Sequence, residues 1–71
     1  MERIIIKDDF IKLGQALKLS GAAESGVDAK FAIHDGLVKV NGKICYERGK
    51  KIKNDDVISF ADNDYIIISE N

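Results

Sequence analysis

A chain of 71 residues has room for one small hydrophobic core, and 45% hydrophobic content argues against disorder. Proline is absent, which excludes a polyproline ligand, and the single Cys45 excludes an internal disulfide, so a reducing cytoplasm is the expected setting. The net charge of −1 conceals a polarised order: residues 30–53 carry Lys30, Lys39, Lys43, Arg48, Lys50, Lys51 and Lys53 against Asp35 and Glu47, while residues 54–71 carry only acidic groups. A local cationic segment can hold a polyanion whatever the total charge, because phosphates respond to the local field. The alternative is that the two segments neutralise each other across the fold.

Arg3-Ile4-Ile5-Ile6-Lys7 is a β-branched run and predicts a strand. Three isoleucines are too few for a signal-peptide core, and no stretch could cross a bilayer, so no membrane role is expected. Asp8-Asp9 ends the strand and is placed to cap a helix predicted over Phe10 to Leu19. Phe10, Leu13, Ala16 and Leu17 would form its apolar face, with Lys12, Gln15 and Lys18 off it. Gly14 costs such a helix roughly 1 kcal/mol relative to alanine. That signals a close approach by a second helix or a ligand, of which helix contact is the more frequent.

Ser20-Gly21 stops this helix, and Ala22-Ala23-Glu24 leads to a second one that packs against it. Ser25 can cap the second helix through its hydroxyl, and Asp28 can complete a capping box. Gly36 sits where a left-handed residue ends a helix. Leu37-Val38-Lys39-Val40 reads as a strand, and Asn41-Gly42 is the strongest short hairpin signal. A two-residue turn there would put Val38, Val40, Lys43 and Cys45 on one face and Lys39, Ile44 and Tyr46 on the other. Neither face is cleanly apolar, so either the strands are short or the register differs.

Glu47-Arg48-Gly49-Lys50-Lys51 is a basic turn, Lys53-Asn54-Asp55-Asp56 a second turn and Asp62-Asn63-Asp64 a third. Between and after them Val57 to Phe60 and Tyr65 to Ile68 read as strands. The isoleucine runs Ile4 to Ile6 and Ile66 to Ile68 would each leave an adhesive edge alone, and are expected to meet in one sheet.

Enzyme chemistry is poorly represented. His34, the one histidine, stands at a predicted helix end, where its simplest role is to favour the dipole. Cys45 lacks a second ligand at zinc spacing and reads as a small buried hydrophobe. Asp62-x-Asp64 lacks the glycine and distal glutamate of a calcium loop, and there is no phosphate-cradling glycine loop, so neither metal nor cofactor is expected. What remains is basic: Lys12, Lys30, Arg48, Lys50 and Lys51 could converge beside Gly49 if the helix pair packs on the sheet. Tyr46 is the one aromatic expected near them, which favours recognition of RNA shape and backbone over reading of single strands.

Ser25-Gly26, Ala29-Lys30, Ile33, Gly36 and Val38-Lys39-Val40-Asn41-Gly42, in this order, resemble the core of the alpha-L, or S-four, RNA-binding domain. Ile11-x-Leu13-Gly14-Gln15-x-Leu17-Lys18, Arg48-Gly49-x-Lys51 and Asp56-Val57 are similar to its short stand-alone bacterial branch, the YaaA/YbcJ type. Gly14 replaces the family's usual aspartate, and Gly26 a frequent arginine. The resemblance implies an α+β domain over residues 1–71, a two-helix alpha-L motif on a mostly antiparallel sheet of about four to five short strands. It implies binding of structured RNA, ribosomal or transfer RNA, by a cytoplasmic monomer working in ribosome assembly or translation, with the ribosome a further candidate partner, without catalysis. Its site would fall on Lys12, Ser25, Lys30, Lys39, Asn41, Lys43, Arg48, Gly49, Lys50 and Lys51, with Ser25 and Asn41 also explicable as cap and turn residues. The other reading is a protein-interaction module that docks through the acidic C-terminal segment or a sheet edge.

Overall fold

The computed structural model describes residues 1–71. The two isoleucine runs do meet. β1 (Glu2–Ile6) lies parallel to β7 (Asn63–Ser69), with Ile4 opposite Ile67. β6 (Val57–Phe60), β3 (Lys39–Val40) and β4 (Lys43–Ile44) continue the sheet antiparallel, in the order β1-β7-β6-β3-β4. A separate two-stranded ribbon pairs β2 (Phe10–Lys12) antiparallel with β5 (Lys51–Lys53). Alternation along the strands sends Ile4, Ile6, Ile58, Tyr65 and Ile67 inward. There they join Leu13, Ala16 and Leu17 of α1 (Leu13–Leu19) and Ala29, Ala32 and Ile33 of α2 (Gly26–His34) in one core.

The first helix starts three residues later than periodicity predicts. Phe10-Ile11-Lys12 is strand because it finds a partner: Ile11 pairs with the fully buried Ile52. Asp8 and Asp9 therefore do not cap α1, whose N-cap is Lys12 with no side-chain bond. Its leading N–H groups are satisfied by backbone instead: Leu13 N donates to Lys50 O at 2.9 Å and Gly14 N to Arg48 O at 3.0 Å. Phe10 leaves the predicted apolar face and is 37% exposed on the ribbon. The close approach at Gly14 comes from Arg48 and not from the second helix.

α2 follows local chemistry closely. Ser25 Oγ accepts from Asp28 N at 3.2 Å. Gly36, at φ 74°, ends the helix in a Schellman motif, with Leu37 N on Ala32 O and Gly36 N on Ile33 O, each at 3.1 Å. The Asn41-Gly42 turn has φ of 52° and 85°, as a type I′ hairpin requires. The simple register holds, with Val40 opposite Lys43, and the mixed faces are tolerated because each strand is two residues long. Val38 and Val40 are buried and Cys45 is half-buried at the core margin, less enclosed than expected. The last turn is Ala61-Asp62, both at positive φ, so Asn63 and Asp64 belong to β7 and not to the predicted turn.

Candidate nucleic-acid interface

The ribbon and α1 together build a cationic surface. Ile11 and Ile52 face inward, so the pleat turns Phe10, Lys12, Lys51 and Lys53 outward. Lys12 stands directly opposite Lys51. Like charges opposed on one sheet face destabilise it, and a bound anion relieves that repulsion. Lys51 also places its ammonium 4.9 Å from the centroid of the Phe10 ring, a cation–π contact.

Beside the ribbon is a cleft of about 370 Å³ lined by Lys12, Gly14, Gln15, Lys18, Gly26, Arg48 and Gly49. It holds three cations and no carboxylate. The two bonds from the start of α1 to the carbonyls of residues 48 and 50 fix the basic turn above the helix. A Cβ at Gly26 or Gly49 would meet nothing within 4 Å, so these stretches of wall are open to an incoming group.

The predicted site residues divide among several places. Lys12, Arg48 and Gly49 share the cleft, and Lys51 stands opposite Lys12 on the ribbon. Lys43 and Lys50 line another hollow with Tyr46 and Glu47. Lys30 is exposed on α2, next to buried Ala29. Lys39 lies apart, in a hollow with Asp62 and Asp64. Ser25 caps α2, adjacent to the cleft residue Gly26. Asn41 is engaged at both ends: its Nδ2 donates to Asp56 Oδ1 at 3.0 Å, and its Oδ1 accepts from Val57 N at 2.9 Å.

Tyr46 is not the aromatic of the cleft. It packs toward Gly36, where a Cβ would lie 3.3 Å from its ring. Phe10, hidden in the sequence by its assignment to a helix, adjoins the cationic surface instead. Gln15 and Lys18 also line the cleft and lie outside the residues the resemblance points to. Their spacing from Lys12 (i, i+3, i+6) on the polar side of α1 was the available signal. No helix is long and apolar enough to cross a membrane.

The two-helix motif packed on a mostly antiparallel sheet is the alpha-L architecture. The chain belongs to the S4 domain family, which it matches over residues 4–68. It is similar to YbcJ of Escherichia coli (strain K12), with 36% identity over 63 residues that cover 89% of this chain and 90% of YbcJ. YbcJ of Shigella flexneri matches to the same extent. The solution structure of E. coli YbcJ, which reveals an alpha-L motif involved in RNA binding, superimposes with a TM-score of 0.75 at 34% identity, covering 97% of this chain and 89% of that one.

Proposed function

We propose that this chain binds RNA by its phosphates at the cleft between α1 and the Arg48-Gly49 turn. One observation carries the reading: Lys12, Lys18 and Arg48 converge on a cleft that no carboxylate enters. The involvement of the YbcJ alpha-L motif in RNA binding supports it. Lys51, opposite Lys12, extends the phosphate track, and Lys30, Lys43 and Lys50 supply a weaker outer field. Ser25 and Asn41 hold the backbone that presents these charges. The RNA is structured, of the ribosomal or transfer RNA kind. In this reading the protein is a cytoplasmic monomer that serves ribosome assembly or translation and binds without catalysing.

The test is equilibrium binding to ribosomal RNA fragments and transfer RNA at several salt concentrations, comparing wild type with Lys18→Ala/Arg48→Ala. Affinity should fall linearly on logarithmic axes as salt rises, and the double variant should lose roughly 0.7–0.9 of slope per phosphate contact removed. A folded wild type that binds neither RNA at low salt overturns the reading and directs attention to protein partners of the acidic C-terminal segment.

A further inference from the structure

A second hollow, of about 540 Å³, adjoins the cationic cleft and shares Gln15 and Lys18 with it. Ile6, Phe10, Ile11 and Leu19 make it apolar, and Asp8 is its one carboxylate. Phe10 is 37% and Leu19 60% exposed, so two large apolar groups stand in water beside a phosphate-binding surface. The volume lies in the range of roughly 300–1,000 Å³ usual for sites that take small organic groups. A ligand suited to both hollows would carry an anionic group on the Lys18 side, joined to a flat apolar ring along Phe10 and Leu19. Asp8 keeps phosphate out of the apolar hollow itself. Ionised, it is an acceptor only, so it suits a ring that carries N–H donors.

We propose that this hollow takes an unpaired nucleobase extruded from the bound RNA, while that nucleotide's phosphate sits against Lys18 in the neighbouring cleft. The proposal rests on the RNA-binding reading above and sharpens it: the target is a structured RNA with a bulged or flipped nucleotide. Because Asp8 accepts and cannot donate, bases whose exocyclic amine presents two N–H donors are favoured over uracil, whose single N3–H is flanked by two carbonyl oxygens that a carboxylate repels.

The test uses three hairpin RNAs that differ only at one position: no bulge, a bulged uridine, or a bulged 2-aminopurine, whose fluorescence reports stacking. Wild type is compared with Leu19→Ser and Phe10→Leu, after circular dichroism has established that each variant is folded. Wild type should bind the 2-aminopurine hairpin about tenfold more tightly than the unbulged one, within the usual range for one stacked base. The uridine hairpin should fall between them, and the 2-aminopurine emission should change on binding. In both variants the preference should shrink to about twofold or less, and in Leu19→Ser, which lies outside the cationic cleft, affinity for the unbulged hairpin and its salt slope should be unchanged. Equal, salt-dependent binding of all three hairpins by wild type overturns this inference and leaves the RNA-binding reading standing. A bulge preference that survives in both variants overturns the placement of the base. Failure to bind any hairpin overturns both readings.

Discussion

Arg48 Cγ occupies the place where a side chain at position 14 would begin: a Cβ built on Gly14 would lie 2.7 Å from it. Real Cβ atoms do not come so close, so the absence of a side chain at 14 is what lets the Arg48 stem lie on α1. Gly14→Ala should therefore destabilise the protein by about 1–2 kcal/mol through overpacking. In an Arg48→Ala background the obstructing carbon is gone, and the same change should become neutral or stabilising by up to about 1 kcal/mol, the ordinary helix gain. Urea denaturation of the four proteins of the cycle measures the coupling. Additive effects would mean that Arg48 does not need the space above Gly14.

Two lysines of equal charge separate the local field from the total. Lys18 lines the cleft with Lys12 and Arg48, whereas Lys39 shares its hollow with Asp62 and Asp64. Lys18→Ala should weaken RNA binding and lower the salt slope by nearly one contact, about 0.7–0.9. Lys39→Ala should leave both nearly unchanged. Equal losses from the two substitutions would show that binding follows net charge and not the cleft.

Ser25 can be dissected in a similar way. Its Oγ accepts from Asp28 N, and its neighbour Gly26 lines the cleft. Ser25→Ala should cost about 1 kcal/mol of stability, the usual value of an N-cap, without altering the RNA affinity of the folded protein. Ser25→Asp retains a capping oxygen and should stay within about 0.5 kcal/mol of wild type. It also brings negative charge to the cleft, and RNA binding should weaken. A folded Ser25→Ala variant with clearly reduced affinity would instead mean that the hydroxyl touches RNA.

These contrasts follow the divide between what was legible in the sequence and what was not. The Ser25 cap, the Gly36 stop and the Asn41-Gly42 turn depend on backbone groups a few residues away, so short motifs specify them fully. The pairing of the two isoleucine runs was legible because each run is too apolar to stand alone as an edge. Phe10-Ile11-Lys12 was not legible, because three residues ahead of a helix fit its first turn equally well. Only pairing with Lys51-Ile52-Lys53 decides for strand, and that partner is remote in the chain. The basic segment was visible, but its division was not. Arg48 reaches α1 because its carbonyl accepts from Gly14 N, while Tyr46, two residues earlier, turns to Gly36. The same remoteness concealed Lys18, whose cleft exists only once the turn is docked.

Asn41 shows how a residue can serve the site from a distance. Besides its bonds to Asp56 Oδ1 and Val57 N, its own N donates to Val57 O at 2.8 Å. Asp56 Oδ2 in turn accepts from Lys53 N at 2.7 Å, at the end of the strand that carries Lys51. The hairpin turn is thus tied through Asp56 to the cationic ribbon. Asn41→Ala loses the side-chain bonds and also puts alanine at a φ of 52°, so it should cost about 1–2 kcal/mol. Asn41→Gly relieves the backbone and loses only the bonds, so its stability should fall between the two. With Asn41 acting within the protein, both variants should bind RNA with the wild-type salt slope wherever they remain folded. A slope reduced by a whole contact in folded Asn41→Gly would move Asn41 from scaffold to RNA contact. A glycine variant as stable as wild type would mean that the Asn41–Asp56 tie contributes no more than the backbone relief that glycine gives at this φ.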